Sequence, residues 1–337
     1  MKSLSQADTG APLLTGGPLR VGVLGCSDIA RRKFIPALRN CSSAVLAAVA
    51  GRNQEKAAGY AGEHNCRVKT ASELLSAPDI DLVYISLPNH LHEEWSIRAL
   101  ESGKHVICEK PLSTSAASVE KMLSAAERSG RLLYENLMFL HHPQHAVVKE
   151  LLDSGRIGRI VALRSCFGFP FPKNSDFRLD PLQGGGAFHD LARYPLGTAR
   201  YFLETPPKRF RGHALYRDGL NTALQGTAVT RGEELFSFSM VFGQQYESYY
   251  EIVGETGKIR LDRAYTTPAD FANRIELLQG GECCEISVPP ADHFQKMIEH
   301  VCAVVRQGND YRELHERTGQ LARLADEMER GCFDDKY

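Results

Sequence analysis

From Leu19 to Tyr134 short apolar runs alternate with stretches of helical character, and this alternation restricts the fold of the chain more than any other feature. The apolar runs are Leu19 to Leu24, Ala44 to Ala50, Leu82 to Leu87, His105 to Cys108 and Arg131 to Tyr134. Between them lie Asp28 to Arg39, Gln54 to His64, Leu91 to Ser102 and Ala116 to Ser129. Parallel strands need a crossover to connect them, so strands separated by helices predict βαβ units and a parallel sheet covered on both faces. Thr70-x-x-Glu73 ahead of Leu74-Leu75 has the form of a capping box and adds a short helix to the series.

At 337 residues the chain exceeds the size at which one hydrophobic core stops growing, so two domains are expected. Lys and Arg number 40 against 41 Asp and Glu, which leaves no net field to draw the protein to nucleic acid or an anionic membrane. No run approaches the roughly 18 apolar residues of a membrane span. Met1 to Pro18 lacks the charged-then-apolar pattern of a secretory signal and reads as a flexible leader. The nine cysteines are odd in number, scattered and without a C-x-x-C pair, as expected for reduced thiols in the cytoplasm. No metal site is expected, because the one close pair, Cys283-Cys284, would point to opposite faces of a strand.

The first strand runs into Gly25-Cys26-Ser27-Asp28-Ile29-Ala30, which matches the G-x-G-x-x-G/A dinucleotide fingerprint at its first and last positions. Ser27 stands where the middle glycine belongs. It is small enough for the backbone to approach a pyrophosphate, and it adds a hydroxyl. A tight βα turn without ligand is the competing reading; position after the first strand and before a helix favours the nucleotide. The second strand ends in Gly51-Arg52-Asn53, with no carboxylate to accept from a ribose 2′-hydroxyl. Arg52 suits a 2′-phosphate, so NADPH/NADP+ is the expected cofactor, with a solvated arginine as the alternative. Two later strand ends, Leu87-Pro88-Asn89-His90 and Glu109-Lys110, are expected to bring more polar groups to the same crevice, with a plain proline turn as the equal alternative for the first. Taken alone, Lys110 fits a surface lysine beside a proline turn as well as a catalytic one.

These segments, with Gly184-Gly185-Gly186-Ala187-x-x-Asp190-x-x-x-Tyr194-Pro195, resemble the glucose-fructose oxidoreductase and inositol dehydrogenase family of NAD(P)-dependent sugar oxidoreductases. The resemblance runs over nearly all of the chain from Arg20, and Glu109-Lys110-Pro111-Leu112 together with the triple glycine and Asp190 carries most of its specificity. It implies an N-terminal dinucleotide domain, a C-terminal domain whose open, mainly antiparallel sheet often makes subunit contacts, and Lys110 near the reacting carbon. Glu135 to His145 and Arg193-Tyr194-Pro195 are most similar to the sugar 3-ketoreductases of deoxysugar biosynthesis. That likeness implies NADPH-dependent reduction of the 3-keto group of a dTDP-linked 3,4-diketo-2,6-dideoxyhexose. Many members of the broader family carry histidine where this chain has Tyr194, a departure that weakens transfer of the polyol dehydrogenase mechanism.

Beyond Tyr134 a helix is expected over His141 to Asp153 and a long strand over Arg159 to Phe169. The loop Pro170 to Arg178 mixes bases with aromatics and suits a nucleotide diphosphate, with Arg178 preferred over Lys173 as the counter-charge; an ordinary solvated loop is the alternative. One helix is expected from Ala187 to Phe202, placing Asp190 and Tyr194 one turn apart on one face. From Arg209 to Val288, glycine-bearing turns at Thr230 to Glu233, Gly254 to Gly257 and Gln279 to Glu282 predict antiparallel hairpins. Two amphipathic helices, Asp292 to Arg306 and Tyr311 to Arg330, close the chain.

The expected fold is α/β: a Rossmann parallel sheet over residues 19–138, then an α+β domain over 139–337 with an open, mainly antiparallel sheet that pairs with further copies in a homodimer or homotetramer. Gly25, Cys26, Ser27, Asp28, Ile29, Ala30, Gly51, Arg52, Asn53, Leu87, Pro88, Asn89, His90, Glu109 and Lys110 form the expected cofactor site. Lys110, Arg178, Asp190 and Tyr194 face the substrate, and Lys110, Tyr194 and Asp190 are the catalytic set. Lys110 polarises the ketone, Tyr194 gives the proton and Asp190 orients them, with the two donor roles open to exchange. A dehydrogenase of free sugars or polyols and a non-catalytic NADP-binding sensor are the alternatives.

Overall fold

Six parallel strands form the first sheet of a computed structural model that describes residues 16–173, 176–308 and 310–333. They are β1 (Leu19–Leu24), β2 (Ala44–Ala50), β3 (Arg67–Lys69), β4 (Leu82–Ile85), β5 (His105–Cys108) and β6 (Leu133–Glu135). Their order is β3-β2-β1-β4-β5-β6. That is the doubly wound order, and the reversal between β1 and β4 opens a crevice beyond the strands' C-terminal ends. Every residue of β4 and β5 is buried, because helices cover both faces.

The connecting helices are α1 (Ile35–Arg39), continuing a π-helical turn over Ala30–Phe34, then α2 (Gln54–His64), α3 (Ala71–Ser76), α4 (His92–Glu101) and α5 (Ala116–Ser129). Asn53 caps α2 and Ser115 caps α5. The expected capping box opens α3: Thr70 Oγ1 accepts from Glu73 N at 3.2 Å, and Glu73 Oε2 accepts from Thr70 N at 2.7 Å. Several expected boundaries move. Strand β4 stops at Ile85, where Ser86 turns to bond Gly25, and β6 lies two residues later than the apolar run implied. Strand β3 has only three residues and an exposed Val68, too little apolar pattern to announce a strand.

The second half begins with α6 (Pro143–Asp153), two residues later than expected, because His142 serves as its cap and Pro143 opens its first turn. After β7 (Ile160–Phe169) come two short helices instead of one, α7 (Ala187–Leu191) and α8 (Arg193–Phe202), which meet at Ala192. Pro195 has no N–H to bond the carbonyl four residues back, so the helical ladder is interrupted there. The strands β8 (Lys208–Arg217), β9 (Leu220–Val229), β10 (Leu235–Phe242), β11 (Glu247–Gly254), β12 (Gly257–Asp262), β13 (Asn273–Gln279) and β14 (Glu282–Val288) follow. With β7 they form an eight-stranded sheet ordered β14-β13-β12-β11-β7-β10-β9-β8, antiparallel except where β7 and β10 run parallel.

In β10 the residues alternate, with Phe236, Phe238, Met240 and Phe242 buried, while Leu235, Ser237, Ser239 and Val241 face outward. Helices α7 and α8 lie on the inner face. The chain ends in α9 (His293–Gln307) and α10 (Arg312–Phe333), which pack back on the first half. Gln295 Nε2 donates to Asn40 O at 3.3 Å, and Asp326 accepts from Ala116 N at the start of α5 at 3.1 Å. Of the expected leader, residues 1–15 lie outside the described residues. No helix among the described residues is long and apolar enough to cross a membrane.

Candidate active site

The crevice between β1 and β4 is built for close backbone approach. Gly25 has φ of 111°, and a Cβ at this position would stand 2.8 Å from Ser86 O. Ser86 N bonds Leu24 O and its hydroxyl bonds Gly25 O, both at 2.9 Å, so the first turn is fastened to the fourth strand. Only glycine fits there. Ser27 Oγ accepts from Ala30 N at 3.2 Å, and Ser27 O accepts from the Tyr60 hydroxyl at 2.6 Å. Arg31 N also bonds Ser27 O at 3.1 Å, so Ser27 stands at the start of the helical segment that follows the turn. Cys26 is half-buried beside Gly51, Asp28 pairs with Arg32 at the surface, and Ile29 packs against the core. Arg52 is exposed at the rim, while Asn53 uses its side chain to cap α2 by accepting from Lys56 N at 2.9 Å. A cradle that a Cβ would fill, an adjoining helix N-terminus and an arginine in place of a carboxylate fit a dinucleotide bearing a 2′-phosphate.

The next strand end, Leu87-Pro88-Asn89-His90, is tied to its neighbours more than it is open. His92 is fully buried, with Nδ1 2.9 Å from Pro111 O and Nε2 2.8 Å from Leu87 O, so it clamps this loop to the one carrying Lys110. Asn89, expected to face the cofactor, is buried and donates its Nδ2 to Gly184 O at 2.8 Å, across to the triple-glycine turn. His90 is exposed. Glu109 Oε1 accepts from the Tyr84 hydroxyl at 2.5 Å and from Asn136 Nδ2 at 2.7 Å, which fixes the residue beside Lys110.

The triple-glycine turn then brings the second domain onto these loops. A Cβ on Gly185 would lie 2.5 Å from Arg178 O, so the chain folds on itself more tightly than any other residue allows. Helix α7 starts here, its Phe188 N capped by Asn221 Oδ1 at 2.9 Å. This places Asp190 against Lys110: Nζ lies 2.7 Å from Asp190 Oδ1 and 2.8 Å from Asp190 O. The other carboxylate oxygen takes Arg178 Nε at 3.0 Å, and Arg178 also pairs with Asp176 at 2.9 Å. Arg178, expected as a counter-charge for a diphosphate, thus pairs with two carboxylates while its side chain stays 34% exposed. Lys173 remains exposed, and Asn174 and Ser175 of that loop lie outside the described residues.

Burial pushes the Asp190 carboxyl up, but the Lys110 ammonium and the Arg178 guanidinium outweigh it and bring the pKa down to about 2. Burial likewise works against the Lys110 charge, yet the Asp190 carboxylate and Tyr194 leave its pKa above the ordinary lysine value. The Tyr194 ring stands with its centroid 5.2 Å from Lys110 Nζ and is packed by Phe139, Phe167 and Tyr265. Burial raises its pKa, with Lys110 opposing. An ammonium has three donors, and Asp190 takes two of those on Lys110. That leaves one donor on an ammonium that neighbours the Tyr194 ring.

Two residues at this centre carried no signal of their own in the sequence. Glu135 Oε1 accepts from Leu112 N at 2.9 Å and from Arg193 Nε at 2.8 Å, and Arg193 also donates to Ser113 O at 3.3 Å. Both lie within segments noted for their resemblance, but their partnership spans separate elements and no local spacing reveals it.

Comparison with known proteins places this geometry in a lineage. Residues 19–137 match the model of an oxidoreductase family with an NAD-binding Rossmann fold, and residues 145–260 match the GFO/IDH/MocA C-terminal domain. The chain is 36% identical over 294 residues to a dTDP-3,4-didehydro-2,6-dideoxy-alpha-D-glucose 3-reductase from Saccharopolyspora spinosa, covering 86% of this chain and 89% of that protein. It is 34% identical over 320 residues to a protein of the same name from Actinomadura kijaniata, covering 94% and 96%. Among solved structures, KijD10, a 3-ketoreductase from Actinomadura kijaniata in complex with NADP and TDP-benzene, superposes with a TM-score of 0.90 at 34% identity, covering 94% of this chain and 98% of that one. With both halves matched in sequence and the doubly wound sheet joined to the open one as the fold requires, the chain belongs to the GFO/IDH/MocA oxidoreductase family.

Proposed function

We propose that the protein uses NADPH to reduce the C3 keto group of a dTDP-linked 3,4-diketo-2,6-dideoxyhexose in deoxysugar biosynthesis. The observation that carries the reading is the Lys110–Asp190–Tyr194 centre, where the Lys110 ammonium, held by the Asp190 carboxylate at 2.7 Å, stands 5.2 Å from the centroid of the Tyr194 ring. Relatives named as 3-reductases of such a sugar at 34–36% identity support the substrate class.

Gly25, Ser27 and Ala30 would hold the pyrophosphate, and Arg52 the 2′-phosphate. When bound, NADPH supplies the hydride that makes the ketone carbon a carbinol. Lys110 donates a hydrogen bond to the ketone oxygen and stabilises the negative charge that grows there. Asp190 stays ionised at neutral pH, keeps Lys110 charged and aims it. Tyr194, held protonated by burial, gives its proton to the nascent alkoxide, which is far more basic than a phenol. The reading places the enzyme in the cytoplasm, with its nine cysteines free. It also assigns the outward face of the eight-stranded sheet, where Arg164, Gln225, Thr227, Ser239 and Tyr249 line one concave surface, to contact with a second copy of the chain.

The test is incubation with NADPH and enzymatically generated dTDP-3,4-diketo-2,6-dideoxyglucose. NADPH oxidation with a C3 alcohol identified by NMR is the expected result. Activity toward inositol or glucose and none toward the dTDP-keto sugar would replace the reading with a polyol or sugar dehydrogenase.

A further inference from the structure

We infer that Glu135 and Arg193 are a positioning pair that sets the separation of Lys110 and Tyr194. The inference rests on the reading above, in which these two donors serve one oxygen. They come from different domains: Lys110 lies in the loop after β5, and Tyr194 lies in α8. Asp190 does not fix that separation alone, because it belongs to α7, which meets α8 at a break at Ala192. Beside the Lys110–Asp190 contact, an ion pair ties the Lys110 loop to the residue next to Tyr194. Glu135, at the end of β6, binds the backbone two residues past Lys110 through Leu112 N at 2.9 Å. The same oxygen binds Nε of Arg193, the residue next to Tyr194, at 2.8 Å. A second arm of Arg193 reaches Ser113 O at 3.3 Å, so the loop carrying Lys110 is gripped at two successive residues.

The side chains of Arg193 and Glu135 are only 5% and 3% exposed. A pair so deeply buried recovers little stability over a well-packed apolar pair, because both ions lose their hydration. What it supplies is geometry. The planar guanidinium directs two donors at fixed angles, which a lysine on its flexible stem does not reproduce. Tyr194, whose ring is set by aromatic packing, takes its lateral position from the helix that Arg193 anchors.

Arg193→Lys keeps the charge and loses the fork; Glu135→Gln keeps an acceptor for Leu112 N and loses the charge. Because a misplacement near 1 Å costs about 100-fold in rate, Arg193→Lys is expected to lower kcat by about 10- to 100-fold with KM and NADPH affinity within about twofold. Glu135→Gln is expected to fall between it and the wild type. A second readout needs no substrate: 3-fluorotyrosine at position 194 should give one sharp ¹⁹F resonance in the wild type and a broadened or split one in Arg193→Lys. An Arg193→Lys enzyme with wild-type kcat and an unchanged resonance overturns the inference, as does a loss of melting temperature alone. Wild-type protein inert toward the dTDP-keto sugar would remove the proposed function instead, and the resonance would still decide the positioning role.

Discussion

Asp190 takes one cation on each carboxylate oxygen, and that arrangement decides which group can give a proton. A carboxyl held at about 2 is never protonated near neutral pH, so Asp190 is no proton donor. Its partner Lys110 is raised above the ordinary lysine value by that carboxylate, and Tyr194 is raised by burial. Both are therefore protonated at neutral pH. Tyr194→Phe is therefore expected to lower kcat by about 10²- to 10⁴-fold, the usual contribution of a general acid, with little change in KM. The sign of the shifts also fixes the pH profile. Asp190 loses its charge only as pH falls toward 2, and Lys110 and Tyr194 lose their protons only above their ordinary ranges. Wild-type kcat should then stay level from about pH 5 to 9, because no member of the centre titrates there. A wild-type rate in Tyr194→Phe would move the proton to Lys110, water or the substrate itself.

Elements, more than residues, explain what the sequence could and could not tell. The turn from β1 into the first helix and the end of β2 were legible because their chemistry is local: a glycine against Ser86 O, and an arginine where a carboxylate would otherwise stand. Arg52→Ala should accordingly weaken NADPH binding by about ten- to a hundredfold and leave NADH binding nearly unchanged, as loss of one charge-assisted bond implies. Equal losses, measured by fluorescence titration of both cofactors, would contradict the assignment. Lys110, Asp190 and Tyr194 were legible through resemblance, since a lysine beside a proline turn says little by itself. Strand β3 and the break at Ala192 were not. The first lacks an apolar run, and the second depends on Pro195 depriving Leu191 O of its donor inside a stretch that otherwise reads as one helix. For Arg178 the sequence shows its charge but not its pairing with Asp176 and Asp190, which come together only in the folded chain. Glu135 and Arg193 stand 58 residues apart, a contact that no periodicity encodes.

At the scale of the whole molecule, the last two helices return to the first half, with α9 on α1 and α10 on α5, so the C-terminal helices brace the parallel-sheet domain. The eight-stranded sheet, by contrast, has helices on its inner face and a mixture of polar and apolar side chains on the other, with Leu235 and Val241 beside Ser237 and Ser239. If that outer face meets a second copy, sedimentation equilibrium should give a dimer or tetramer, and Ser239→Arg combined with Gln225→Arg should shift it toward monomer; a monomeric wild type would contradict the assignment. Crevice, charged centre and second domain together define the central claim, that hydride goes to the sugar's C3 carbon beside Lys110 and Tyr194. The most direct measurement uses NADPH deuterated at both C4 hydrogens with dTDP-3,4-diketo-2,6-dideoxyglucose, followed by NMR of the product. The account predicts deuterium at C3 of the sugar, in wild-type enzyme and, more slowly, in Tyr194→Phe. Deuterium at C4, or none in the product, would contradict it.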